Sequence, residues 1–137
     1  MSRGLRNNNP GNIRLSTTRY EGEIEHSDDS EFKQFESMAY GYRAMFRLLY
    51  VYQTRYGLNT LRGMISRYAP SNENDTNNYI RQVSKWSSLE PDAHITSTNR
   101  DTMIPLVAAM SRMENGVPAN MPDVEEGWKL FIKGAQK

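Results

Sequence analysis

The stretch Met103–Gly116, with the sequence MIPLVAAMSRMENG, predicts an amphipathic helix around which the rest of the chain is organised. Three apolar residues recur at helical spacing and form one stripe: Met103, Val107 and Met110. Glu114 lies one further turn along and continues the stripe, and Gly116 follows it as a typical helix stop. The sequence therefore predicts a carboxylate at the end of the apolar face of a helix.

This position would change the chemistry of the Glu114 carboxyl group. The negative end of the helix dipole and a low-polarity wall would both raise its pKa. A carboxylic acid that stays protonated near neutral pH can act as a general acid. The alternative is a solvated side chain, since a small error in helix phase would turn Glu114 outward.

Length and composition set the broad class of the protein. The chain has 137 residues, a length that favours one domain with a hydrophobic core. Its net charge is +1. The low charge and scattered arginines disfavour nucleic-acid binding. The chain contains no cysteine, which excludes disulfides and thiolate metal sites. His26 and His94 are predicted to be surface residues rather than metal ligands, and we expect no metal or cofactor.

The N-terminus and the hydropathy pattern bear on localisation. The first residues lack the apolar core of a signal peptide, and no apolar run is long enough to span a membrane. We therefore expect synthesis in the cytoplasm and no membrane insertion. Action at the cell wall or in the periplasm would then need cell lysis, a phage particle or a secretion machine.

A run of turn-forming residues, NNNPGN, occupies Asn7–Asn12. One interpretation is an ordered loop that only leads into a strand. The other is a sugar-binding loop, because clustered amide groups suit the hydroxyl and acetamido groups of a glycan. The residues expected to bind substrate in that case are Asn7, Asn8, Asn9 and Asn12.

Residues 13–36 carry the β pattern of the chain. Three short runs alternate apolar and polar residues between turn-rich segments: Ile13–Leu15, Tyr20–Ile24 and Phe32–Phe35. They predict a small antiparallel hairpin or a three-stranded flap. Most of its many acidic residues are expected to be solvated, and Glu23 is our hypothesis for a second catalytic carboxylate.

Four further helices are predicted from apolar periodicity and capping residues. Their expected extents are 38–57, 61–68, 77–86 and 122–134, with N-caps for the first three at Ser37, Thr60, and Asp75 or Thr76. Thr102 is the expected N-cap of the Glu114 helix, with Pro105 in its first turn. The prediction is an α+β, mainly α, single domain over residues 1–137, with an N-terminal hairpin and about five helices.

Four short motifs follow one another in the first third of the chain. They are NNNPGNIR at 7–14, YEG at 20–22, FKQFES at 32–37 and GYRA at 41–44. Their order resembles the core of the lysozyme-like peptidoglycan hydrolases. It is similar to the bacterial endo-β-N-acetylglucosaminidases, in which an Asn-Asn-x-x-Gly-Ile-Lys type segment precedes a hairpin. It also resembles phage virion and prophage proteins of structural or lysozyme-like type.

Two later segments extend this resemblance. Residues 73–83, ENDTNNYIRQV, resemble the helix of lytic transglycosylases whose tyrosine lies in the active site, which implies that role for Tyr79. Residues 110–116 are similar to the end of the helix that carries the catalytic glutamate, which implies Glu114. In the relatives that helix precedes the asparagine-rich hairpin, whereas here it follows. Either the domain is circularly permuted, or the acid is absent.

The resemblance implies cleavage of the β-1,4 link between N-acetylmuramic acid and N-acetylglucosamine, with Glu114 as general acid. Without a second carboxylate the product would be a 1,6-anhydro sugar, as in a lytic transglycosylase, whereas a carboxylate that holds a water would give hydrolysis. Tyr79 and Glu23 would stabilise the positive charge of the transition state, and the asparagine turn would hold an acetamido group. The alternative is a non-catalytic, glycan-binding or structural virion module on the same scaffold. In either case we expect a monomer or a component of a phage particle.

Overall fold

The computed structural model describes residues 1–72 and 74–135, which contain six α-helices. The helices are α1 (Arg3–Arg6), α2 (Met38–Tyr56), α3 (Leu61–Tyr68), α4 (Thr76–Ser87), α5 (Arg100–Asn115) and α6 (Met121–Ala135). Helices α2 to α6 lie where the sequence predicts helices, and the short α1 is additional. Glu73, the first residue of the transglycosylase-like motif, lies outside the described residues.

Local capping residues account for most of the helix ends. The predicted N-caps Ser37, Thr60 and Asp75 are confirmed, since each side chain accepts a backbone N–H three residues further on. Helices α2 and α5 end at Gly57 and Gly116, with φ of 68° and 75°. Glycine adopts this left-handed conformation without the steric penalty of a Cβ atom.

The start of α5 differs from the prediction that Thr102 is its N-cap. The helix begins at Arg100, and Asn99 caps it by accepting hydrogen bonds from the backbone N–H groups of Asp101 and Thr102. Asparagine is as good an N-cap as serine or threonine, so the cap forms one turn earlier. Pro105 therefore lies in the second turn rather than the first.

The predicted α+β fold is wrong, because residues 13–36 form no β-strand. Pairing in this segment is limited to two isolated antiparallel bridges, Arg14 with Phe32 and Glu23 with Phe35. The three alternating runs do lie side by side, as the predicted hairpin requires. Each pairing lasts for one residue, and the segment is an irregular loop packed on the helices.

Side chains form hydrogen bonds with backbone groups that a longer sheet would need. The carbonyl oxygen of Phe32 accepts a hydrogen bond from Ser27 Oγ at 2.7 Å, and its N–H donates to Asp29 Oδ1 at 3.0 Å. A further strand would have to use these same two groups. The chain also turns sharply at Gly22, where φ is 79°. Local side-chain hydrogen bonds therefore compete with hydrogen bonding between strands and end it.

Helices α2 to α6 supply most of the core. Phe46 of α2 meets Trp128 edge-on at 5.0 Å between ring centroids and stacks with Phe131 at 6.0 Å. The α5 stripe is buried as predicted: Met103, Val107 and Met110 have no exposed surface. Burying this stripe fixes the rotation of α5, so that Glu114 follows the buried face at the end of the helix.

Within the described residues, no helix combines the length and the apolar character that a bilayer span requires.

Helix α2 passes very close to the asparagine turn at Gly41. A Cβ atom there would lie 2.2 Å from the carbonyl oxygen of Asn8 and 2.5 Å from Pro10 Cδ. Both neighbours belong to the main chain or a rigid ring, so neither can move aside without shifting the turn.

We therefore expect Gly41→Ala to lower the free energy of unfolding by about 2 kcal/mol or more, despite the better helix propensity of alanine. Gly134→Ala is the matched control, because its Cβ would meet only the end of a flexible arginine side chain. Urea unfolding of both variants tests this. Equal stability of the two would contradict tight packing at the turn.

Candidate active site

The C-terminal end of α5 lies against the asparagine turn. Glu114 Oε1 accepts a hydrogen bond from Asn12 Nδ2 at 2.9 Å, and Oε2 accepts one from Tyr79 Oη at 2.8 Å. The structure therefore brings together three of the sequence-predicted site residues, which come from three distant parts of the chain.

Neighbouring polar contacts hold this junction in place. Asn115 Nδ2 donates to the carbonyl oxygen of Pro10 at 2.8 Å, and Ser2 Oγ donates to Asn115 Oδ1 at 2.7 Å. One turn earlier on α5, Ser111 Oγ lies 2.9 Å from Tyr42 Oη in the core. Glu114 is thus anchored on both sides by contacts that do not involve its own carboxylate.

The turn itself is built by asparagines in an unusual backbone conformation. Asn8 and Asn12 have φ of 51° and 50°, the left-handed region that asparagine tolerates better than most residues. Between them, the fully buried Asn9 donates from Nδ2 to the carbonyl oxygens of Ile13 and Lys33 at 3.0 and 2.9 Å. This geometry presents the Asn12 amide to Glu114.

The other predicted sugar ligands already have internal partners. Asn7 Nδ2 donates to Asp29 at 3.0 Å, its Oδ1 accepts from Gln34 at 3.0 Å, and Asn8 Nδ2 donates to the Phe35 carbonyl oxygen at 3.1 Å. Of the four predicted asparagines, the structure brings Asn12 alone into the Glu114 cleft. Sugar binding by Asn7, Asn8 and Asn9 stays a prediction, and it would require these bonds to be exchanged.

A cleft of about 440 Å³ opens in front of Glu114. The sequence did not identify most of the residues that line the cleft, which include Arg14, Phe32, Tyr52, Tyr68 and Asn74. The hydroxyl of Tyr68 donates to the carbonyl oxygen of Gly11 and so ties α3 to the turn. The one sequence signal for Tyr68 is its place at the end of α3, before Ala69-Pro70, which leaves the direction of its ring open.

The cleft modifies the acidity of the groups within it. Burial raises the pKa of Glu114, and the hydrogen bonds from Asn12 and Tyr79 and the charge of Arg14 oppose this rise without cancelling it. Burial and the nearby Glu114 charge raise the pKa of Tyr79 well above its usual value. The Tyr79 hydroxyl therefore keeps its proton and remains a donor to Glu114.

Glu23, the hypothesised second carboxylate, lies elsewhere. Its two oxygens accept hydrogen bonds from Lys33 Nζ at 3.0 and 2.9 Å, and both side chains are almost entirely buried. Lys33 also donates to the carbonyl oxygens of Ser16 and Thr18. Glu23 does not line the Glu114 cleft, and its contacts are those of a buried ion pair that shapes the N-terminal loop.

Comparison with known proteins identifies the family. The chain is 37% identical over 137 residues to "Protein P5" of Pseudoalteromonas phage PM2, covering 97% of this chain and 84% of the relative. The chain belongs to the family of this phage protein. No family model matches the chain. The name of the relative states no activity, so the chemistry has to be argued from the site.

The buried pair predicts that Glu23 and Lys33 act on stability. We expect Lys33→Met to lower the free energy of unfolding by about 3 kcal/mol, because it leaves the buried Glu23 carboxylate with only the exposed Arg19, at 3.4 Å, as a cationic partner. Arg62→Met, which breaks the exposed Arg62–Asp92 pair, is the control and should change little. Thermal unfolding compares the two, and equal effects would contradict a structural role for the buried pair.

The raised pKa of Glu114 predicts a pH-dependent cost to stability. Folding favours the protonated form of Glu114, so the stabilising contribution of this group is fully present at pH values below the ordinary glutamate pKa. That contribution is lost as pH rises through the higher native pKa. We expect Glu114→Gln, which cannot ionise, to gain stability relative to the wild type over that rise.

Melting curves of both proteins between about pH 4 and pH 8 test this expectation. The difference in melting temperature should favour the variant most at the neutral end and shrink toward the acid end. A difference that grows toward acid pH would show that the native pKa is lowered instead.

Proposed function

We propose that this protein cleaves the glycan strands of peptidoglycan, with Glu114 as the general acid. The observation that carries the proposal is the partly buried Glu114 carboxyl group in a cleft, oriented by Asn12 and Tyr79 and with a raised pKa. Membership of a family with a phage relative is compatible with action from a phage particle.

The first chemical step is proton donation. Protonated Glu114 gives its proton to the oxygen of the β-1,4 link between N-acetylmuramic acid and N-acetylglucosamine. The bond from C1 of the muramic residue to that oxygen breaks, and its electron pair stays on the leaving oxygen. Positive charge then develops on the muramic ring, next to the newly formed Glu114 carboxylate.

The second step restores the acid. The Glu114 carboxylate, held by the Asn12 and Tyr79 hydrogen bonds, accepts the proton of the 6-hydroxyl group as that oxygen attacks C1. The product is a 1,6-anhydro sugar, and Glu114 is again protonated. This intramolecular route needs one carboxyl group, which is what the described lining residues of the cleft supply. Attack by water instead would give hydrolysis.

A second candidate function is glycan binding without cleavage. The hydrogen bonds from Asn12 and Tyr79 favour the ionised form of Glu114, and they also join three elements of the fold. These bonds are equally suited to a purely structural role. The protein would then be a binding module of the virion or the cell wall, and its cleft would hold glycan without cleaving it.

The decisive variant is Glu114→Gln. Glutamine can keep both contacts, since it accepts from Asn12 and donates to Tyr79, whose hydroxyl also accepts hydrogen bonds. We expect cleavage of isolated peptidoglycan to fall by about 100-fold or more while binding is retained, because the proton donor is gone. Loss of turbidity of the peptidoglycan suspension measures cleavage, and the amount of protein that sediments with the peptidoglycan measures binding.

Glu126→Gln is the matched control, because it removes an exposed α6 carboxylate and should leave cleavage unchanged. Full activity of Glu114→Gln would rule out Glu114 as the acid. Binding by the wild type without any cleavage would favour the second candidate. The masses of the products identify the route, because the 1,6-anhydro product is lighter than the hydrolysis product by one water.

A further inference from the structure

A second cleft, of about 550 Å³, lies beside α2. Its most distinctive feature is a group of five arginines drawn from the N-terminal loop, α2 and α3. These residues, which we call the arginine cluster, are Arg19, Arg43, Arg47, Arg55 and Arg67. Three of them lie on α2, and folding brings Arg19 of the loop and Arg67 of α3 to the same concave surface.

The charge of this cluster is only partly balanced. Arg43 lies 3.3 Å from Glu21, and Arg19 lies 3.4 Å from Glu23. Within the described residues, the other three arginines of the cluster have no carboxylate within ion-pair distance. The cleft therefore carries a local excess of positive charge, although the whole chain has a net charge of only +1.

Repulsion between like charges opposes this excess. Arg43 and Arg47 lie one turn apart on α2 and repel each other, and Arg55 lies two turns further along the same helix. The guanidinium group of Arg67 lies 3.8 Å from the ring centroid of Tyr56. Such stacking holds the planar group in place. Arg67 also bonds to the Tyr52 side chain, and its other N–H groups can donate to an anion.

The arginine cleft adjoins the Glu114 cleft. Leu48 and Tyr52 of α2 line both of them, so a single elongated ligand can extend from one to the other. A polymer whose sugars lie at Glu114 would pass Tyr52 and bring its side groups toward the arginines.

We propose that the arginine cluster binds the carboxylate groups of the peptides attached to the glycan strand. This inference rests on the proposed function. The muramic residues of peptidoglycan carry these peptides through lactyl groups, and the peptides bear free carboxylates. Guanidinium groups bind carboxylates through paired hydrogen bonds, and the tyrosines of the cleft offer apolar surface for the peptide backbone. The enzyme would thus select strands that still carry their peptides.

The test measures strand binding in the Glu114→Gln background, so that no strand is cut. Two ligands are compared: soluble strands that carry their peptides, and the same strands after an amidase has removed them. We expect peptide-bearing strands to bind about tenfold more tightly, with a preference that weakens as salt is added. In the double variant Arg55→Gln/Arg67→Gln, the ratio of the affinities for peptide-bearing and peptide-free strands should fall close to one.

A charge-matched control separates this effect from loss of positive charge in general. Arg81→Gln/Lys129→Gln removes two exposed positive charges outside both clefts and should keep the preference. Melting curves of both double variants verify that they fold. Equal loss of preference in the control would overturn the assignment to the arginine cluster.

The remaining outcomes separate this inference from the proposed function. A wild type that prefers peptide-bearing strands but cuts none overturns the cleavage and leaves the peptide site standing. A wild type that cuts strands but binds both ligands equally overturns the peptide site alone. If a single-stranded oligonucleotide binds more tightly than the strands and loses affinity in Arg55→Gln/Arg67→Gln, the cleft is a nucleic-acid site and the inference is wrong.

Discussion

The structure depends on one long-range junction, the contact between the end of α5 and the asparagine turn. Asn12 and Glu114 are 102 positions apart in the sequence and share a hydrogen bond of 2.9 Å. Asn115 reinforces the junction through the Pro10 carbonyl oxygen. Because the apolar stripe of α5 is buried, the helix cannot rotate, and the turn has to meet it at this end. The cleft, its acid and its tyrosine donor all follow from this meeting.

The same junction sets the chemistry of Glu114 through opposing effects. Burial favours the neutral acid, whereas the donors Asn12 and Tyr79 and the nearby Arg14 favour the carboxylate. The proposed general acid would have to give and then recover a proton, and such a balance suits this role because neither the protonated nor the ionised form is strongly favoured. The late glutamate also meets the early turn in space, as circular permutation requires. Kinship with the lysozyme-like enzymes remains a prediction.

Helix α2 links the two clefts and shows why net charge is a poor guide to local charge. The overall value of +1 and the scattered arginines argue against nucleic-acid binding. Folding nevertheless places Arg47, Arg55 and Arg67 beside one cleft, while acidic residues such as Glu31 lie on the N-terminal loop near Arg3 and Arg14. The sequence already shows an acidic segment at 21–36 and three arginines on α2, but only contacts between distant elements bring Arg67 to the same cleft.

The sequence by itself determined the features that depend on neighbours within about one helical turn. Helices α2 to α6, the caps at Ser37 and Gly116 and the buried stripe before Glu114 are of this kind, since their hydrogen bonds are local. Only the tertiary structure decided which polar groups became partners. The predicted sheet gave way to side-chain bonds, and Glu23 paired with Lys33 instead of reaching the cleft. Hydrogen bonds between distant residues depend on where the packed helices bring them, and no local pattern encodes that position.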